Sequence, residues 1–247
     1  MKYRFWIKAL LFFLSLSCIT GILGLLFCSS LFTRDKSTSS TTVNSSSKDY
    51  KTVIIDAGHG GEDGGATSAA GLIEKDVNLD VARMLRDMLS SNGINVIMTR
   101  EDDRLLYDRN TNYKGRKKKL DLAARLAIAD STPNAIFISI HMNSFTDTRY
   151  SGLQVWYSGN NSDSQVLAEL IQQENKTQLQ ADNKRQTKLA TSAINLLYNA
   201  KCPAVLVECG FLSNAEEARL FETSDHRQRV AFVLFCSITE FLNSTSN

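Results

Sequence analysis

Short apolar runs alternate along the chain with longer segments in which apolar residues recur every three or four positions. Four nearly continuous runs, typical of parallel strands buried on both faces, lie at 52–56, 94–98, 135–140 and 204–207. Single apolar stripes within 77–89 and 230–241 predict two amphipathic helices, and further helices are expected at about 163–179 and 186–199. This order predicts one three-layer α/β domain over residues 51–247, with a mainly parallel twisted sheet flanked by helices.

Residues 1–33 have the pattern of a membrane segment. Three basic residues precede an uncharged run from Ala9 to Thr33, which is long enough as a helix to cross a hydrocarbon core of about 30 Å. The basic flank places the amino terminus inside and the main domain outside the cytoplasm. A cleaved signal peptide is the alternative, because small residues at 28–30 lie near a suitable cleavage point. We therefore expect a membrane-anchored protein with an extracytoplasmic domain, or one secreted after cleavage.

A flexible linker is expected between this segment and the domain. Residues 34–50 are rich in Ser and Thr and offer little apolar surface to bury. The whole chain has 28 Lys and Arg against 26 Asp and Glu, and the cationic excess lies before the domain, which is itself slightly acidic. A slightly acidic domain lacks the basic face that polyphosphate requires, so nucleic acid is not an expected partner.

Four residues of the domain are candidates for a metal site. His59 and His141 follow predicted buried strands, and Glu208 ends a third such strand. The carboxyl ends of parallel strands meet at one edge of a sheet, so these side chains are expected to converge. Glu74 precedes a predicted helix, and the glycine-rich loop before it can fold it back over the same edge. Two imidazoles and a carboxylate suit a catalytic Zn²⁺, and a further carboxylate can serve as the base.

Other features have ordinary explanations when taken alone. The loop 57–66 is glycine-rich, as flexible turns are, and it lacks the Lys-Ser/Thr pair of a phosphate loop. His226 lies in a polar stretch and is interpreted as a solvated surface group. The basic run from Lys114 to Lys119 is most often a solvated loop, although it could meet an anionic ligand or a partner. A histidine or glutamate at a strand end is also commonly solvated, and a site is predicted here because four such residues share one edge.

Four segments of the domain carry a distinctive set of motifs: VIIDAGHGGEDGGA (53–66), GLIEKDVNLDVA (71–82), FISIHMNS (137–144) and PAVLVECGFLSNAEEARL (203–220). In this order and spacing they closely resemble the zinc-dependent N-acetylmuramoyl-L-alanine amidases of the amidase type 3 family, and the resemblance extends over about residues 52–243. The resemblance implies that His59, Glu74 and His141 bind one Zn²⁺ and that Glu208 is the catalytic acid/base. Asn143 is a further candidate, as a substrate contact.

The resemblance also implies a biological setting. The segments 115–129 and 152–157 look most like the sporulation branch of the family, the germination-specific amidases that act in making the spore cortex. The expected reaction is hydrolysis of the peptidoglycan amide bond between N-acetylmuramic acid and L-alanine of the stem peptide. The chain has no room after its second histidine motif for a long autoinhibitory helical insertion, so control by expression or by a protein partner is expected.

Two rival functions stay open at the level of sequence. An exported zinc peptidase or carboxypeptidase would use the same metal chemistry on a different substrate. A catalytically inactive wall-binding module tethered to the membrane is the second alternative, and the presence of all four functional positions argues against it.

Overall fold

The computed structural model describes residues 49–246, so the predicted membrane segment 1–33 and nearly all of the linker 34–50 lie outside the described residues. Within 49–246, none of the helices is long and apolar enough to cross a membrane. The membrane segment therefore stays a prediction.

A six-stranded mixed sheet runs through the centre of the domain, with strand order β2-β1-β3-β6-β4-β5. The strands are β1 (Thr52–Ala57), β2 (Asn95–Met98), β3 (Ala135–Asn143), β4 (Gln154–Tyr157), β5 (Lys188–Leu189) and β6 (Ala204–Phe211). The pair β4 and β6 is antiparallel and the other neighbouring pairs are parallel. The mainly parallel α/β fold expected from the sequence is confirmed.

Helices cover both faces of the sheet. They are α1 (Glu74–Ser91), α2 (Lys117–Ser131), α3 (Asp163–Gln178), α4 (Asn195–Asn199), α5 (Ala215–Phe221) and α6 (Ser224–Thr245). One apolar cluster joins α1, α3 and α6 to one face, and a smaller cluster joins α2 and α4 to the other. Alternate residues of β1 divide between the clusters: Val53 and Ile55 face the larger one, and Ile54 faces the smaller. This division explains why β1 is apolar at successive positions.

The helix expected at 186–199 is wrong for most of its length. Lys188 and Leu189 instead form the edge strand β5 beside β4, and only Asn195–Asn199 is helical. The backbone N–H of Ala190 donates to the carbonyl oxygen of Tyr157, which continues this pairing. The Thr and Ser residues of 187–192 have modest helix propensity, so pairing with an open strand edge decides the local structure.

The surface position expected for His226 is also wrong. The residue is only 8% exposed and its ring packs edge-on against Phe221, with 4.7 Å between ring centroids. Burial lowers the pKa of His226, since the charged form is poorly solvated there. The residues around His226 in the sequence are polar, which suggested a surface position, but helix periodicity places this residue of α6 on the buried face.

Candidate metal centre and catalytic cleft

The four candidate residues lie together at the carboxyl edge of the sheet. His59 follows β1, His141 belongs to β3, and Glu208 of β6 is the direct cross-strand neighbour of His141. Glu74 is the first residue of α1, whose amino terminus points at the same edge. The convergence expected from the sequence is thus present in the structure.

One oxygen of Glu74 lies between the two histidine rings. Its Oε1 atom is 3.2 Å from Nε2 of His59 and 3.0 Å from Nδ1 of His141. One donor atom from each of the three residues lies within 4.8 Å of the other two, which is close enough for a shared metal ion. Two imidazole nitrogens and a carboxylate oxygen match the donor set of catalytic zinc.

Two glycines make this close approach possible. A Cβ atom at Gly58 would lie 2.3 Å from Nε2 of His141, and one at Gly65 would lie 2.5 Å from Oε2 of Glu74. Gly65 also has φ of 69°, a conformation that L side chains rarely adopt. The glycine-rich loop is therefore more than a flexible turn, since at these two positions it leaves space for the site's own side chains.

The carboxylate of Glu74 is held in its ionised form. It is 3% exposed, and it accepts hydrogen bonds from the backbone N–H of Ala66 and of Met142. Burial raises the pKa of Glu74, but hydrogen bonds and charges from His141 and His59 outweigh burial and lower it well below its ordinary value. An ionised carboxylate with this geometry is suited to binding a cation.

Glu208 has the opposite electrostatic character. Its Oε2 atom is buried and, among residues 49–246, has no hydrogen-bond partner. Burial, together with the charge of Glu74, raises the pKa of Glu208 to about 7, although His141 and His59 oppose the rise. A carboxyl group with a pKa near neutrality can both accept and deliver a proton under physiological conditions.

Two buried arginines, which the sequence analysis did not single out, hold the loop that carries His59. Arg125 donates to the carbonyl oxygens of Ala57 and His59, and Arg100 donates to those of Ala57 and Gly58. His59 itself has φ of 62°, so the loop needs such support. Little in the sequence pointed to Arg125, because the buried face of α2 consists of Asp121, Arg125 and Ala129 and is not an apolar stripe.

Acidic residues neutralise Arg125 and also contact the site. Its guanidinium forms ion pairs with Asp56 at 2.6 Å and with Asp121 at 2.8 Å. A third acid, Asp63, lies on the loop with Oδ1 2.9 Å from Nδ1 of His59. A carboxylate beside the outer ring nitrogen of a histidine fixes the orientation of the ring for metal binding.

A cleft of about 240 Å³ opens beside His59, His141 and Glu208. Residues of α2 and of the segment leading into α4 form part of its walls, and several of the lining residues are apolar. The apolar lining residues are Leu122, Ala193, Ile194, Leu196 and Leu206. Asn143, the predicted substrate contact, ends β3 two residues beyond His141 and is not among the residues that line this cleft.

An α/β sheet edge that brings together two histidines, an ionised carboxylate and a carboxyl group with a pKa near 7 defines a candidate metallohydrolase. Comparison with known proteins agrees. The family description "N-acetylmuramoyl-L-alanine amidase" matches residues 53–240. The chain therefore belongs to the N-acetylmuramoyl-L-alanine amidase family, which confirms the resemblance seen in the sequence and the predicted peptidoglycan amidase activity.

Individual relatives support the germination-specific branch. The germination-specific N-acetylmuramoyl-L-alanine amidase of Bacillus subtilis is 36% identical over 191 residues, covering 77% of this chain and 79% of the relative. The solved CwlD amidase of Clostridioides difficile, in complex with the GerS lipoprotein, is 37% identical with a TM-score of 0.74, covering 78% of this chain and 99% of that one. A second amidase, from Clostridium difficile 630, is 26% identical with a TM-score of 0.68, covering 79% of this chain and 98% of that one.

Proposed function

We propose that this amidase hydrolyses the bond between the lactyl carbonyl of N-acetylmuramic acid and the L-alanine nitrogen with a Zn²⁺ ion held by His59, Glu74 and His141. Glu208 acts as the general base and then as the general acid. The observation that carries the proposal is the grouping of three donor atoms within 4.8 Å beside a carboxyl group whose pKa is about 7.

The residues present fit zinc in number, kind and charge. Three protein donors leave a coordination position for water or substrate, as in other catalytic zinc sites. The single negative charge of Glu74 offsets part of the charge of the cation, and Asp63 beside His59 provides a second negative group nearby. When bound, Zn²⁺ supplies a Lewis acid that polarises a carbonyl and lowers the pKa of water.

Proton transfer is assigned to Glu208. Its unpartnered oxygen is available to accept a proton from the attacking water while the water oxygen bonds to the lactyl carbon. Glu208 then delivers the proton to the L-alanine nitrogen as the carbon–nitrogen bond breaks, leaving a lactyl carboxyl group and a free stem-peptide amine. The buried strand β6 holds this carboxyl group in place, as a general acid/base requires.

A role in germination is proposed from the name of the Bacillus subtilis relative, and an activating protein partner is proposed from the solved complex of an amidase with a lipoprotein. We also propose that residues 1–33 anchor the chain in the membrane with the catalytic domain outside the cytoplasm. Fractionation of the tagged full-length protein tests the anchor: recovery in the membrane fraction is expected. A soluble species shortened by roughly thirty residues would instead support a cleaved signal peptide.

The roles of the ligands and the base are tested by measuring zinc content and amidase turnover on full-length His141→Ala, Glu74→Gln and Glu208→Gln proteins. We expect the first two variants to lose most of their zinc. Glu208→Gln should keep its zinc while turnover falls by about 10²- to 10⁴-fold, the usual contribution of general acid/base catalysis. Glu62→Gln is the matched control, because Glu62 lies on the same loop but pairs with Lys117 at the surface.

Loss of zinc from Glu208→Gln, combined with retained zinc in Glu74→Gln, would show that ligand and base are interchanged. Mass spectrometry of digested peptidoglycan identifies the bond cleaved. Free stem peptides with an L-alanine amino terminus are expected, whereas shortened peptides still attached to muramic acid would indicate the peptidase alternative.

A further inference from the structure

Lys118 lies at the mouth of the catalytic cleft. It belongs to the first turn of α2 and lines the same cleft as His59, His141 and Glu208. Its side chain is 71% exposed, and its Nζ atom is 3.8 Å from Oδ2 of Asp63. That distance is too long for a hydrogen bond, so the three ammonium donors are available to a ligand.

The other cations near the cleft are already occupied. Arg125 uses its guanidinium on Asp56, Asp121 and two carbonyl oxygens, so no donor faces the cleft unused. Lys117 is paired with Glu62 at 2.7 Å and lies over the rings of Tyr107 and Tyr113. Among the residues that line this cleft, Lys118 is therefore the cation positioned to meet an anionic group of the substrate.

The surroundings of Lys118 favour an anion. Arg116 and Lys119 are exposed in the same turn, and in residues 49–246 neither forms an ion pair. Asp63, the acid nearest to Lys118, is also engaged by His59 and by the backbone N–H of Gly65. Lys118 shares Asp63 with these other partners, and the charges of Arg116 and Lys119 are not paired within the described residues, so the cluster attracts negatively charged ligands and raises their local concentration.

The substrate presents a carboxylate at a suitable distance from the bond that is cleaved. In peptidoglycan, L-alanine is followed by a D-glutamate that is joined through its side-chain carboxyl, which leaves its α-carboxylate free unless it is amidated. An extended residue spans only about 3.5 Å, so this carboxylate lies roughly two residue lengths from the scissile amide. A stem peptide that leaves the metal site along α2 would bring the carboxylate to the cleft mouth.

We propose that Lys118 binds the free α-carboxylate of the second stem-peptide residue and thereby directs the peptide side of the substrate along the α2 wall of the cleft. This rests on the proposed function, because it presumes cleavage at the L-alanine amide. It assigns Lys118 a role in substrate selection: the enzyme prefers stem peptides whose second residue is acidic over those in which it is amidated.

The test compares two soluble muramyl peptides that differ only in this group, one with the free α-carboxylate and one with the α-amide. Zinc-loaded full-length wild type should cleave the acid with a kcat/KM about fivefold higher, near the upper end for an exposed ion pair. Lys118→Gln should abolish the preference, Lys118→Arg should retain it, and Lys118→Glu should reverse it. Raising the salt concentration should weaken the wild-type preference.

The ratio of the kcat/KM values for the two peptides distinguishes a direct contact with Lys118 from an indirect effect on the metal site. Any change transmitted through Asp63 to His59 alters both substrates equally and leaves the ratio unchanged. Lys51→Gln is the matched control, because Lys51 is 68% exposed, pairs with Asp49 and lies before β1, at the opposite edge of the sheet. Equal cleavage of both peptides by wild type, or a preference that survives Lys118→Gln, overturns the inference while the amidase assignment stands. Failure to cleave either peptide would count against the proposed function itself.

Discussion

Replacing Arg125 with methionine should lower the free energy of unfolding by about 3 to 5 kcal/mol and should also reduce zinc binding. Arg125 is 1% exposed and pairs with Asp56 and Asp121, while two of its donors reach the carbonyl oxygens of Ala57 and His59. Methionine fills much of the same volume without charge. The lost stability therefore comes mainly from the ion pairs and from the hydrogen bonds that Arg125 donates to the metal-site loop, and less from packing.

The magnitude follows from what is left behind. Asp56 is fully buried, and without Arg125 its carboxylate keeps the hydrogen bonds from Ser139 at 2.6 Å and Thr99 at 2.7 Å, while the buried Arg100 remains as a nearby positive charge. Asp121, the second partner, keeps a hydrogen bond from the backbone N–H of Leu106. Because both carboxylates retain hydrogen bonds, the penalty should stay within the range expected when a buried charge network loses one member. Adding Asp56→Asn to Arg125→Met removes the stranded charge, so the double variant should recover part of the lost stability.

The penalty should depend on pH in a definite direction. Burial raises the pKa of Asp56, but Arg125, Ser139 and Thr99 together hold it below its ordinary value. A carboxyl group with a lowered folded pKa stabilises the protein above its unfolded pKa, which is about 3.9, and this contribution is lost as pH falls through the folded value. The difference in the free energy of unfolding between wild type and Arg125→Met should thus be largest near pH 7 and should shrink below about pH 4.

Urea unfolding at neutral and acid pH, with zinc content measured on the same preparations, provides the assay. Arg229→Met is the matched control, since Arg229 forms an ion pair with Asp225 that has the same four-residue spacing at the surface of α6. That exposed pair should contribute less than about 1 kcal/mol. If Arg125→Met lost no more stability than Arg229→Met and kept its zinc, the proposal that buried Arg125 stabilises the loop carrying His59 would be refuted.

Two further predictions concern the site directly. Gly58→Ala places a Cβ atom 2.3 Å from the His141 ring, so zinc content and activity should fall while the circular dichroism spectrum stays native. Gly64→Ala is the control, because a Cβ atom there meets only the side chain of Ile73. A full zinc content in Gly58→Ala would contradict the prediction. The apparent pKa that governs the fall of kcat/KM at low pH should lie above the ordinary glutamate pKa but no higher than about 7, because burial raises the pKa of Glu208 and a bound cation would lower it. If Glu208→Gln showed the same fall at low pH, the titrating group would be a different residue.

Much of the fold was accessible from the sequence because its strands are buried on both faces. Continuous apolar runs identified β1, β3 and β6, and the geometry of parallel sheets then brought His59, His141 and Glu208 to one edge. The position of Glu74 followed from the helix pattern that begins beside it. Each of these inferences used a periodicity that the packing of the domain imposes on the chain.

The rest depended on contacts that no periodicity records. Strand β5 forms because an edge of β4 is open to pairing, and nothing within residues 186–194 indicates that edge. Arg100 and Arg125 resemble ordinary charged residues until the loop folds over them and its carbonyl oxygens meet their donors. The glycines at 58 and 65 were visible as turn formers, but the side chains they make room for were not.

The different environments of the two site carboxylates account for the roles proposed for them. Glu74 accepts two backbone hydrogen bonds and contacts both histidines, so its acceptor capacity is used and its pKa is lowered. Glu208 has a buried oxygen without a partner in the described part of the chain, and burial raises its pKa to about 7. When neighbouring titratable groups have pKa values that shift in opposite directions, the group kept ionised is suited to holding charge and the other to moving protons. Both residues are glutamates, so their roles differ because of where the fold places them: the start of α1 beside two histidines keeps Glu74 ionised, and burial within β6 raises the pKa of Glu208.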